Sequence, residues 1–142
     1  MPRPQTPLLA ADVVIELAGT ARPSVVLVRR ANPPLGWALP GGFVDIGETV
    51  ETAARREALE ETGLEVFDLE LLGVYSDPGR DPRGHTVSAV FICRAEGEPC
   101  GGDDAAEAAA CPLEALPPLV FDHARILADY QARRSLREDP DR

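Results

Sequence analysis

Residues 42–64 read GFVDIGETVETAARREALEETGL, and their spacing organises the rest of the chain. A Gly41-Gly42 turn leads in. Thr49 is placed to cap the helix that follows. That helix is predicted from about Val50 to Thr62, and it stops at Gly63, because glycine accepts the left-handed conformation after a last turn. On the helical period Glu57, Glu60 and Glu61 fall on one face. Three carboxylates on one turn repel one another, each pair by about 1 kcal/mol in water and about 4 kcal/mol at close contact near a protein surface. A divalent cation reverses that sign, and hard oxygen ligands of this kind suit Mg²⁺ or Mn²⁺. Arg56 lies beside them and is placed to pair with Glu48, bracing the turn against the helix. Three glutamates on a helix also describe a solvated acidic face, so the choice rests on the whole pattern.

That pattern is Gly42, five residues, Glu48, seven residues, then REALEETGL from Arg56 to Leu64. It resembles the Nudix box, and every fixed position of the box is filled. The resemblance implies a Mg²⁺-dependent hydrolase of nucleoside diphosphates linked to another moiety, with Mn²⁺ as the alternative ion. It implies an α/β fold, an α/β/α sandwich with a mixed sheet between helices. Gly42, Glu48, Arg56 and Gly63 become the structural positions of the box. Glu57, Glu60 and Glu61 become metal ligands and the catalytic carboxylates, joined by the carbonyl of Gly41, where the alternative is an ordinary turn. The attacking water gives its proton to one of the three or to a carboxylate outside the box. Asp103, Asp104 and Glu107 on a later loop are candidates for that role, with Glu107 preferred; the alternative is a solvated acidic loop.

The composition sets limits. With 142 residues the chain suits one domain, 1–142, with 1–8 and 137–142 loosely held. A net charge of −10 argues against binding nucleic acid or an anionic membrane. All 14 basic residues are arginine, which excludes a P-loop lysine, a Schiff-base lysine or a lysine nucleophile. Arginine, the better bidentate partner, is left for phosphate contact. Cys93, Cys100 and Cys111 are odd in number and lack metal-site spacing, so reduced thiols in a cytoplasmic protein are expected. Asp12 and Glu16 interrupt the N-terminal apolar run, which therefore does not read as a signal peptide.

Strands are expected at Ala10–Leu17, at Ser24–Arg30 and at Val66–Tyr75, with another at Thr86–Arg94. Trp37 to Pro40 leads into the Gly-Gly turn. Residues 76–84 and 96–106 read as loops. Glu107–Cys111 reads as a short strand despite its alanines. Pro112–Pro118 reads as a turn or a single helical turn. Asp122 is placed to cap a last helix running to about Leu136, with Ile126, Leu127 and Tyr130 inward.

Two further segments, SDPGRDPRGHTVS at 76–88 and LPPLVFDHARIL at 116–127, resemble Nudix proteins of the ADP-ribose pyrophosphatase type. Arg30, Trp37, Arg80, Arg83 and His85 are the substrate-binding candidates. Arg80 and Arg83 either hold phosphate and ribose oxygens or pair with Asp77 and Asp81. Trp37 either stacks on a base or belongs to the core. His85 either touches substrate or is structural, and His123 reads as structural. The subgroup's aromatic after the late-loop Glu-Ala is replaced by Ala109-Ala110, and the NADH-pyrophosphatase pattern is absent. Those two departures count against the subgroup; the box together with SDPGRDPRGH implies, by resemblance, hydrolysis of ADP-ribose to AMP and ribose 5-phosphate. The alternatives are a nucleoside triphosphate or another ADP-sugar as substrate, or a sensor that binds ADP-ribose without turnover. It also admits a homodimer, for which the sequence shows no interface.

Overall fold

The computed structural model describes residues 2–138. The β-branched runs build a seven-stranded mixed sheet. Its strands are β1 (Leu8–Leu17), β2 (Ser24–Arg30), β3 (Trp37–Ala38), β4 (Gly41–Phe43), β5 (Phe67–Tyr75), β6 (Thr86–Ala95) and β7 (Ala105–Pro112). Helix α1 (Val50–Thr62) joins β4 to β5, a 3₁₀ turn at Leu113–Ala115 follows β7, and α2 (His123–Glu138) comes last.

β6 runs parallel to β1 along its whole length, from Leu8 beside Thr86 to Leu17 beside Ala95. It therefore takes one entire edge of β1. The other edge is shared: Ala10 to Asp12 pair with β4, and Glu16 pairs with Val25 of β2. β2 is paired to β7 throughout on one side, and on the other meets β1 at Val25 and β3 at Val28 and Arg29. β1 and β2 thus diverge, and residues 37–43 bridge the fork between them. The fork brings the Gly-Gly turn beside the central strand.

Successive residues of a strand point to opposite faces. Val13 and Ile15 pack with Ala53, Ala54 and Ala58 of α1 in one core. Val14 packs with Ile126, Leu127 and Tyr130 of α2 in the other. The sheet lies between two helices, as the sequence led us to expect. Thr49 caps α1, its hydroxyl accepting from the Thr52 N–H at 3.1 Å. Gly63 has a φ of 72°, and its N–H donates to the Leu59 carbonyl at 2.9 Å.

Some boundaries differ from expectation. β1 begins at Leu8 instead of Ala10, because β6 offers backbone partners from Thr86 onward. The strand expected at 107–111 spans Ala105–Pro112, since pairing along all of β2 outweighs the weak strand preference of alanine. Residues 37–38 and 41–43 form short strands where a lead-in and a turn were expected. α2 reaches Glu138, tied by Arg137 to Glu16 at 2.9 Å and by Arg134 to Glu138 at 2.8 Å. Asp122, expected to cap α2, turns its carboxylate to Arg80. Residues 2–7 carry no regular structure, while the looseness expected of Met1 and 139–142 falls outside the described residues. Among the described residues, no helix is long and apolar enough to cross a membrane.

Gly63→Ala should destabilise the fold by about 1–2 kcal/mol, because a side chain strains the left-handed backbone. The space itself is open, with the nearest atoms 3.9 Å from an added Cβ. Urea unfolding should show a lower midpoint at an unchanged slope.

Candidate active site

Arg56 is the hub of the α1 turn. Its Nε and Nη2 each donate to Glu48 at 2.8 Å, a bidentate pair. Its Nη2 also reaches the Phe43 carbonyl at 3.1 Å, and its Nη1 donates to Glu57 at 2.8 Å. Glu60 lies 3.4 Å from the same Nη1. Hydrogen bonds from Arg56, above all, hold Glu48 down to about 2. The β4 backbone and the first turns of α1 are thereby locked together.

Three carboxylates close on the Gly41-Gly42 backbone. The Gly41 N–H donates to Glu61 Oε1 at 2.7 Å. A Cβ on Gly42 would stand 2.5 to 2.6 Å from the Glu57 carboxylate, and one on Gly41 would collide with Asp12 Oδ1. No residue with a side chain fits either position without displacing an acid. Beneath them, the Leu39 N–H donates to His123 Nδ1 at 2.9 Å. Burial pushes that imidazole down to about 4, so it is the neutral acceptor the bond requires.

The electrostatics follow from this crowding. Burial pushes Glu61, which is 6% exposed, up to about 8; the Gly41 N–H opposes the shift, and Glu57, Asp12 and Asp104 add to it. Burial pushes Asp12 up to about 6, against a hydrogen bond from Ser88. Glu57 is also raised, by burial first. Such acids ionise fully only beside a compensating positive charge. Among the described residues, no three acid, thiol or imidazole groups stand ready as a metal cluster. Glu57 is turned to Arg56, and Glu61 to the Gly41 N–H. The fit to a hard divalent cation rests on the donors themselves, which are all oxygen and wrap around bare backbone.

These groups open into a cleft of about 310 Å³. Gly41, Glu57, Glu61, Arg30, Arg80 and Arg83 line it, as do Asp103 and Asp104. Four sequence candidates do not. Glu60 is exposed on α1. Glu107 sits on β7 opposite Arg29, with 3.8 Å between their charged groups. Trp37 packs against the core on the α2 side. His85 Nε2 lies 3.1 Å from the Ser76 carbonyl and lines an adjoining cavity of about 660 Å³.

The arginines divide by partner. Arg80 is buried and forks onto Asp122 at 2.7 and 2.9 Å, where the sequence had suggested Asp77 or Asp81. Arg83 pairs with Asp81 at 2.8 and 3.1 Å. Arg30 Nε donates to the Pro34 carbonyl at 2.9 Å, and among the described residues no carboxylate forms an ion pair with it.

Sequence reasoning missed two cleft residues. Asp12 entered only as an acid interrupting an apolar run, and that interruption was the available signal. Phe121 lay unremarked inside LPPLVFDHARIL. It has a φ of 57°, and both Arg30 and Arg83 stand over its ring.

A family model described as NUDIX domain matches residues 6–130. An ADP-ribose pyrophosphatase from Methanocaldococcus jannaschii is 50% identical over 127 residues, 87% of this chain and 73% of that protein. An ADPR responsive transcriptional repressor from Acinetobacter baylyi is 34% identical over 91 residues, covering 61% of this chain and 36% of the repressor. Among solved structures, the NUDIX domain of Shewanella oneidensis NrtR complexed with ADP ribose superposes with a TM-score of 0.80. Its sequence identity is 29%, over 91% of this chain and 89% of that one.

The folded chain holds the Glu61 proton more tightly than the unfolded chain does between the ordinary value of 4.5 and about 8. Its contribution to stability therefore falls as pH rises across that window. A divalent cation that needs the ionised acid should raise the melting temperature more at about pH 9 than at about pH 6. Thermal melts with and without Mg²⁺ check this, and Gly42→Ala should abolish the metal-dependent rise.

Proposed function

The chain belongs to the NUDIX domain family, and from that premise we propose that it hydrolyses ADP-ribose to AMP and ribose 5-phosphate. The observation that carries this reading is the Gly41-Gly42 backbone enclosed by Asp12, Glu57 and Glu61. The M. jannaschii relative's name and the ADP ribose bound to the Shewanella domain support the choice of substrate.

Glu57, Glu61 and the Gly41 carbonyl, joined by Glu60 once it turns in from the rim of α1, would hold Mg²⁺, or Mn²⁺ in its place, whose charge would neutralise diphosphate oxygens and acidify a water. The remaining work falls to the chain. Arg56 fixes the turn that presents the glutamates. Arg30, which has no ion pair among the described residues, receives the diphosphate. Water loses a proton to a carboxylate, and its oxygen bonds to one phosphorus. The bond from that phosphorus to the bridging oxygen breaks, and the bridge leaves on the other phosphate. Asp103 and Asp104 line the cleft, so that loop suits the proton better than Glu107, which stands beside Arg29. The three free cysteines fit a reducing, cytoplasmic setting.

A second reading, binding of ADP-ribose without turnover, is favoured by the Acinetobacter repressor. The filled glutamate positions weigh for hydrolysis, because a sensor has no use for a metal cage or a proton acceptor.

Purified protein with Mg²⁺ should release AMP from ADP-ribose, with a higher kcat/KM than on nucleoside triphosphates or other ADP-sugars. Glu61→Gln should lower kcat by about 10²- to 10⁴-fold. Undiminished turnover in that variant refutes the carboxylate's role, and tight binding of ADP-ribose without AMP release favours the sensor.

A further inference from the structure

One wall of the cleft alternates aromatic rings with guanidinium groups: Phe43, Arg83, Phe121, Arg30. The Arg83 guanidinium carbon lies 5.8 Å from the Phe43 ring centre and 5.3 Å from that of Phe121. The Arg30 guanidinium carbon lies 5.1 Å from the same Phe121 centre. All three distances fall where a ring face attracts a cation. Phe121 achieves this with a φ of 57°. A bulky side chain rarely accepts that conformation, and it persists where the surroundings impose it.

The two cations on this ring are not equivalent. Arg83 is neutralised by Asp81. Among the described residues, Arg30 hydrogen-bonds only to neutral partners, the carbonyls of Pro34 and Pro33 at 2.9 and 3.5 Å. Burial and then the neighbouring Arg83 both act against its charged form. Its charge is thus held by a ring face and two carbonyls, half-buried, while Glu61, Asp81 and Asp104 favour it through space without pairing with it. A flexible arginine that seizes an anion loses rotamer freedom at that moment, and a ring that presets it removes that cost from binding.

We propose that Phe121 is a positioning residue for diphosphate binding, holding Arg30, with Arg83 on the same ring, in the orientation that receives phosphate oxygens. This rests on the diphosphate substrate proposed above. The ring touches no reacting atom, and its effect is exerted through the two arginines.

Three variants test it. Phe121→Leu keeps apolar bulk and loses the ring face. Phe121→Tyr keeps both. Phe121→Gly loses the ring but suits the left-handed backbone, so it folds without that strain. KM for ADP-ribose should rise about tenfold in the Leu and Gly variants, with kcat held within about twofold. Phe121→Tyr should restore KM to within about twofold of wild type. The affinity for ADP with Mg²⁺, measured by calorimetry, should weaken about tenfold in the Leu and Gly variants as well. Unchanged KM and ADP affinity in those two, a loss confined to kcat, or a Tyr variant as impaired as Leu each overturns the proposal. So does a wild type that fails to bind ADP. A wild type that binds ADP yet leaves ADP-ribose intact sinks the substrate reading, while the ADP affinities of the variants still decide the role of Phe121.

Discussion

Backbone without side chains lets acids approach where acids would otherwise be kept apart. Glu57 fills the space where a Gly42 side chain would begin, Asp12 does the same at Gly41, and Glu61 takes the Gly41 N–H. Much of the surrounding structure serves that contact. The divergence of β1 from β2 gives residues 37–43 a place to lie. His123 anchors Leu39 at the entry. Arg56 ties Glu48 and the Phe43 carbonyl to α1, so the helix cannot drift from the turn. The cleft is a consequence of how closely a helix turn and a strand can meet when two neighbouring residues are bare.

The same contact explains how a chain of net charge −10 can attract an anion. Acids packed this tightly resist ionisation and hold protons that a hard cation can displace. Around the cage, cationic side chains are largely spoken for: Arg80 by Asp122, Arg83 by Asp81 and Arg56 by Glu48. Among the described residues, Arg30 is the cleft arginine without an ion pair, which makes the site selective in where it presents positive charge. Arginine is the only cationic type other than histidine in the chain, and fork-shaped pairing recurs at each of these positions.

The box helix was legible in full, because its cap, its stop and its acidic face are all local signals. So were the long strands, whose β-branched runs are self-evident, and the inward stripe of α2. The ends of β1 and β7 were not, because each is set by a partner strand far away in sequence. Asp12 escaped as a site residue for the same reason: its neighbours Gly41 and Ser88 come together only when β4 and β6 pair with β1. Phe121 left no periodic trace, since its role depends on a backbone angle and on two arginines from separate loops and strands. Arg80 could be assigned a carboxylate partner from sequence, but the nearby Asp77 and Asp81 were the visible ones, and the fold supplied Asp122.

The parallel pairing of β1 with β6 has a cost in time. During synthesis the apolar first strand emerges long before the strand that covers one of its edges, and no local hairpin can stand in for it. Until Ala95 has left the ribosome, the central strand keeps an unpaired edge, a template for wrong partners in a crowded cell. The partners of Ala10, Ala11 and Asp12 in β4 lie nearer in sequence, on the opposite edge. The exposed interval thus belongs to one edge of β1 alone, the one that waits for β6.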